Sequence, residues 1–206
     1  MAPLIVFAHG AGAGSSHPWM RSWTARLAVC GAVYTFDYPY MRDGRKTPDR
    51  SATLLAAHAE AVAAARQLHP TAPVILAGKS MGGRMSCHLA AQWEAAGDSA
   101  VKGVICFGYP LRSSTSGKSR AEIVMQLAAP LLLVQGSRDP LCPLPELRAV
   151  LGQRAGRSEL HVVDDADHSL VVAKRALASR NETQDDVDAR VLRGIQNFLK
   201  SHAAPG

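Results

Sequence analysis

Short apolar runs rich in Val, Ile and Leu alternate along the chain with longer stretches whose apolar residues recur every three or four positions. The runs are Leu4–Ala8, Ala32–Phe36, Pro73–Ala77, Val101–Phe107, Pro130–Val134 and Leu160–Val163. Apart from the first, most are continuous rather than alternating, which predicts strands covered on both faces. The periodic stretches predict helices over Trp19–Val29, Ala52–Leu68, Met81–Ala96, Arg120–Gln126, Pro145–Leu151 and Asp185–Lys200. Strand and helix alternate throughout, so the expected fold is a three-layer α/β/α sandwich around a doubly wound, mostly parallel sheet of about six strands. No linker, composition break or internal repeat divides the chain, and residues 1–206 are expected to form one domain. The Ser/Gly-rich piece Ser113–Ser119 reads as a loop. The connection after Phe107 is only about a dozen residues long, too short for a lid domain. Ala173–Thr183 is polar and weakly patterned, a mobile loop or a short helix.

Composition narrows the classes. Apolar residues make up 47% and charged residues 19% of 206 positions, a balance that excludes a disordered chain. The net charge of +6 raises nucleic acid, an acidic membrane surface or an anionic substrate as partners. The basic residues are dispersed, however, with one loose group at Arg42, Arg45, Lys46 and Arg50 and another at Arg112, Lys118 and Arg120. Aromatics at 5% are too few to stack bases, so no nucleic-acid partner is expected. The four cysteines, at 30, 87, 106 and 142, have no C-x-x-C spacing and read as reduced thiols. The first apolar run is too short for a signal or membrane segment. A cytoplasmic monomer or homodimer that does not engage a membrane is the expectation.

The chemistry concentrates just after the strands. Gly78-Lys79-Ser80-Met81-Gly82 is a G-x-S-x-G pattern. Alone it says little, since a serine capping a helix after a glycine turn has the same composition. Here it follows a strand and opens a helix, the context in which a sharp turn lifts a nucleophilic serine above the sheet. Ser80 is therefore the candidate nucleophile. The helix start lends partial positive charge to a developing oxyanion there. After the first strand comes His9-Gly10-Ala11-Gly12-Ala13-Gly14. Acyl transfer needs two backbone N–H donors, and the candidates are Met81 and a residue of this loop, Ala11 first, with Gly10 or Gly12 as alternatives. A phosphate-cradling loop is the rival, but it lacks full G-x-G-x-x-G spacing and a Walker lysine. His9 reads as a structural hydrogen-bonding residue.

A serine needs a neighbouring imidazole to take its proton, and the imidazole needs a carboxylate to fix its tautomer. His168 lies after the last strand and before the last helix, where the base belongs. His58, His88 and His202 fall on helices, His69 ends one, His161 lies in a strand and His17 comes too early. Asp139, in Gly136-Ser137-Arg138-Asp139-Pro140 just beyond the fifth strand, is the candidate acid. Asp164, Asp165 and Asp167 compete by proximity, although adjacent residues point apart. No H-E-x-x-H or paired cysteines suggest a metal, and no cofactor is expected. Cys142 lies off the elbow.

With these residues in place, the chain resembles the α/β-hydrolase superfamily over nearly its whole length, and looks most like its compact, dienelactone-hydrolase-like branch. Gly78-Lys79-Ser80-Met81-Gly82-Gly83-Arg84, Phe107-Gly108-Tyr109-Pro110-Leu111 and Gln135-Gly136-Ser137-Arg138-Asp139-Pro140 are similar to a group of small hydrolase-like proteins. That group is in turn similar to the hydrolase-like domain of a scaffold subunit of a nuclear acetyltransferase complex. The resemblance implies Ser80 as nucleophile, Asp139 as acid and His168 as base. It departs from dienelactone hydrolases proper, which carry cysteine at the elbow. The expected activity is cleavage of a small carboxylic ester or thioester through an acyl-serine, with a non-catalytic scaffold as the alternative. Tyr38, Tyr40, Tyr109 and Arg42 follow strand ends, where pocket, turn and surface roles all remain open.

Overall fold

In the first strand, β1 (Leu4–Ala8), Leu4 and Val6 enter one apolar cluster, while Ile5 and Phe7 enter another on the opposite side of the sheet. The same division recurs in β3 (Val74–Lys79), where Leu76 opposes Ile75 and Ala77, and in β4 (Val101–Phe107), where Val104 and Cys106 oppose Ile105 and Phe107. A strand apolar at every position thus serves two helical layers at once. This computed structural model describes residues 1–202.

The first layer holds α3 (Ser51–Leu68), α4 (Met81–Ala95), α5 (Ala121–Gln126) and α6 (Leu144–Gln153), and the second holds α1 (Pro18–Leu27) and α8 (Gln184–His202). Six parallel strands lie in the order β2-β1-β3-β4-β5-β6, with β2 at Ala32–Phe36, β5 at Leu131–Gly136 and β6 at Ser158–Val163. The chain moves one way from β1 to β2 through α1, then returns past β1 to β3 through α3 on the other face. Uniform crossover handedness requires that change of face when the direction reverses. The reversal leaves a crevice beyond the carboxyl ends of β1 and β3, the place where open α/β sheets bind ligands. From β4 to α5 the chain runs through a loop pinned by an isolated bridge between Arg112 and Ser119, with no inserted domain.

Several expectations shift. Coverage on both faces holds for β3, β4 and β5 and extends to β1, the run excepted from that expectation, but the edge strands β2 and β6 are half exposed. β3 and β5 run on to Lys79 and Gly136, because backbone pairing continues (Gly78 with Cys106, Gly136 with Val163) after the apolar signal stops. A four-residue helix α2 (Pro39–Arg42) is too short to show a period. Within Ala173–Thr183 the chain forms α7 (Lys174–Arg180), closed by Asn181 in the left-handed conformation. Tyr38, Tyr40 and Tyr109 are fully buried, neither at the surface nor on a pocket wall, and Arg42 is exposed.

Candidate active site

Ser80 stands between β3 and α4 with φ 50° and ψ −112°, a strained conformation held from both sides. Its N–H donates to Phe107 O on the neighbouring strand (2.9 Å), and its own carbonyl accepts from Arg84 N (3.0 Å), the first turn of α4. Two residues on, α4 presses against the end of β1: a Cβ added at Gly82 would sit 2.3 Å from Ala8 O and 2.6 Å from His9 O. Only a glycine permits that approach, and it brings the Gly10–Ala11 loop beside the elbow.

The loop itself is oriented from behind. His9 Nδ1 donates to Gly10 O (2.7 Å), its Nε2 accepts from Tyr38 N (3.1 Å), and Tyr40 Oη donates to Ala11 O (2.9 Å). Burial pushes the His9 imidazole below its ordinary pKa, with the Gly10 bond and Asp37 opposing, so it serves as a neutral bracing group. The Gly10 carbonyl and the Ala11 N–H belong to one trans peptide and point oppositely. With that carbonyl turned into the protein, the Ala11 N–H faces away from His9. Met81 N–H lies in the first turn of α4, where helix amides lack intrahelical partners.

His168 reaches the serine from the β6–α7 connection. Its Nε2 lies 2.8 Å from Ser80 Oγ and its Nδ1 lies 2.7 Å from Asp139 Oδ2. The imidazole is one-quarter exposed and the carboxylate is fully buried. Asp139 Oδ2 also accepts from Gln135 Nε2 (2.5 Å), and Oδ1 accepts from Leu141 N (2.8 Å). Gln135 Oε1 accepts from Tyr109 N (2.9 Å), which fixes the amide with its NH2 toward Asp139. A carboxylate surrounded only by donors is held as an acceptor, so Nδ1 carries the imidazole proton and Nε2 is free to accept from the serine.

The competing acids do other work. Asp167 Oδ1 accepts from Ser169 N (2.7 Å) and Val171 N (3.0 Å), folding the turn that carries His168. Asp165 pairs with Arg180, and Asp164 is exposed. The sequence-predicted Ser80, Asp139 and His168 are therefore brought together, with Ala11 and Met81 beside the serine, and the neighbouring aspartates are not.

Lys79, the variable position of the G-x-S-x-G pattern, has a further part. Its side chain is buried, and Nζ donates to His168 O, 5.6 Å from the Trp19 ring centre. Burial pushes its pKa down to about 8, against the raising influence of Asp139 and Asp167. The same carbonyl packs on Gly108 (φ +63°), where an added Cβ would lie 2.4 Å from His168 O. Trp19 is placed by an aromatic cluster with Trp23, Phe7 and Phe107, at centroid separations of 6.0, 6.3 and 5.7 Å. Together Gly10, Ala11, Trp19, Lys79, Ser80, His168 and Val171 line most of a cavity of about 460 Å³.

A family model described as an alpha/beta hydrolase domain matches residues 1–200. The chain belongs to the α/β-hydrolase family. Solved structures repeat the hydrolase fold at low identity. An α/β serine hydrolase homologue from Coxiella burnetii is 18% identical, with TM-score 0.72, covering 94% of this chain and 85% of that one. A dienelactone hydrolase from Anabaena variabilis is 19% identical, with TM-score 0.70, covering 98% and 88%. An esterase from Pyrococcus furiosus is 15% identical, with TM-score 0.75, covering 98% and 83%. The family assignment agrees with the sequence reading, and the likeness to the dienelactone hydrolase is one of fold. Among the described residues of this hydrolase-family chain, no helix is long and apolar enough to cross a membrane.

Sequence reasoning missed Gln135, Lys79 and Trp19. Gln135 sits just past the apolar run Pro130–Val134 and Trp19 on an amphipathic helix, where neither type signals chemistry. Lys79 carried the one usable hint, a long cation placed beside a candidate nucleophile.

Proposed function

We propose that the chain is a serine hydrolase that cleaves a small carboxylic ester or thioester through an acyl-Ser80 intermediate. The single observation that carries this reading is the continuous relay from Ser80 Oγ to His168 Nε2 (2.8 Å) and from His168 Nδ1 to Asp139 Oδ2 (2.7 Å). Ser80 Oγ attacks the carbonyl carbon as His168 Nε2 takes its proton, and the resulting oxyanion accepts from the Met81 and Ala11 N–H groups. His168 then returns the proton to the departing oxygen or sulfur, leaving acyl-Ser80. Water attacks that ester with its proton passing to His168, and the carboxylic acid leaves as Ser80 is restored. Asp139 stabilises the imidazolium throughout, and Gln135 keeps Asp139 aimed.

The test is labelling with a fluorophosphonate probe and turnover of p-nitrophenyl acetate, wild type beside Ser80→Ala. Both signals are expected in wild type and lost in the variant. Absence of labelling in folded wild type would overturn the reading in favour of a binding protein that keeps the hydrolase fold.

A further inference from the structure

Ser80 borders two cavities, and they differ in kind. The larger one, already described, includes His168. The second, of about 190 Å³, shares Ala11 and Ser80 with the first but does not reach His168; it adds Met81, Arg84, Arg120 and Leu141. If His168 hands its proton to the leaving group, the leaving group occupies the cavity that His168 lines. The cavity on the other side of the serine then receives the acyl chain. This assignment rests on the hydrolase reading above.

The acyl-side cavity carries an unbalanced positive charge. Arg84 stands one helical turn beyond Ser80, and its Nε is buried with no hydrogen-bond partner. Among the described residues, neither Arg84 nor Arg120 takes part in an ion pair, and although most other arginines share that, Arg84 is the one arginine with a buried guanidinium nitrogen left without a partner. Burial lowers the Arg84 pKa, and the charge of Arg120 lowers it further. Two like charges held together with a buried donor unmet form an arrangement that an anion relieves.

The second arginine is also held in place. Its backbone N–H donates to Leu111 O (2.7 Å), and its carbonyl accepts from Tyr109 Oη (2.8 Å). The acid that borders this cavity, Asp49, is already committed: its carboxylate accepts from Arg45 Nη1 (2.7 Å) and from Tyr40 N (2.9 Å).

We propose that Arg84 and Arg120 form a carboxylate-binding subsite on the acyl side of Ser80, so that the favoured substrate is the half-ester or half-thioester of a short dicarboxylic acid. The cavity has room for about six water molecules' volume, which suits an acyl chain of roughly four or five carbons ending in a carboxylate. A planar guanidinium meets such a group with two parallel hydrogen bonds, which a lysine cannot supply.

The experiment compares monomethyl succinate with methyl levulinate, its neutral near-isostere, in wild type, Arg84→Gln and Arg120→Gln. The readout is the ratio of kcat/KM for the anionic ester over the neutral one, which is insensitive to the fraction of folded enzyme. Wild type is expected to favour the anion by at least tenfold, and each substitution to lower the ratio at least fivefold. In parallel, binding of monomethyl succinate to Ser80→Ala is measured by calorimetry, with and without Arg84→Gln.

Equal turnover of the two esters, unchanged by the substitutions, overturns the subsite and leaves the hydrolase reading standing. Binding that requires Arg84, with neither turnover nor fluorophosphonate labelling of wild type, upholds the anion site and overturns the hydrolase reading. Absence of binding, turnover and labelling overturns both.

Discussion

His58 should make this protein acid-sensitive in a defined window. It lies on α3, fully buried, with Tyr38 Oη 3.2 Å from Nδ1 and no partner for Nε2. The Phe36 and Tyr38 rings lie 5.1 and 6.0 Å from its own. Desolvation, assisted by the nearby His9, pushes its pKa from 6.5 down to about 3. The folded imidazole therefore stays neutral where the unfolded one takes a proton.

Above pH 6.5 both states are neutral and His58 contributes nothing to the pH dependence. Below it the unfolded state binds the extra proton, and stability falls by about 1.4 kcal/mol per pH unit. The loss attributable to His58 is about 3 kcal/mol at pH 4.5 and about 4 kcal/mol at pH 3, where it levels off as the folded imidazole itself takes a proton. The assay is urea unfolding of wild type and His58→Phe at pH 7.5 and 4.5. Whatever the substitution costs in packing or in the lost Tyr38 bond appears at both pH values and cancels in the difference. The gap between the two proteins should change by about 2–3 kcal/mol in favour of the variant on going to pH 4.5. Other groups that titrate in both proteins, including His9, also cancel to first order. Parallel stability profiles would refute the argument, because they would mean that His58 gains its proton equally well in the folded state.

Two further outcomes follow from the site. Asp139→Asn is expected to lower kcat about 10³- to 10⁴-fold with little change in substrate binding, because the amide favours the wrong imidazole tautomer; steady-state kinetics on p-nitrophenyl acetate would read this. Gly108→Ala is expected to cost about 1–3 kcal/mol in urea unfolding, through its positive φ and the clash with the His168 carbonyl. Its folded fraction should also react more slowly with a fluorophosphonate, since the displaced carbonyl belongs to the base.

The layered architecture was legible because apolar continuity and helical periodicity report burial directly. Pro73–Ala77 and Val101–Phe107 read as strands pressed from both sides, and the glycine-rich stretches at Gly10–Gly14 and Gly78–Gly82 marked the chain near the carboxyl ends of strands. Ser80, His168 and Asp139 were legible through residue type and chain order together. Proximity of acids to His168 carried no comparable signal, and the structure gives Asp167 a turn-forming part. Gln135 was invisible for a physical reason: its role depends on β4 and β5 lying side by side, which brings Tyr109 N within reach of its amide. The carboxyl ends of β3 and β5 were cut short because glycine and lysine can sit in a ladder without advertising burial. Arg84 and Arg120 are separated by a strand and a loop, so only the folded chain reveals that they face the same space.

The hold on residue 168 acts on its carbonyl oxygen, through the Lys79 ammonium and the bare face of Gly108. A backbone oxygen is common to all amino acids, so the grip does not depend on the imidazole that it positions. The loop therefore behaves as a socket whose address is written in the main chain, while the group it presents to Ser80 is exchangeable. That property makes position 168 a natural point for installing other proton acceptors, including unnatural imidazole analogues of graded basicity, without redesigning the connection that carries them.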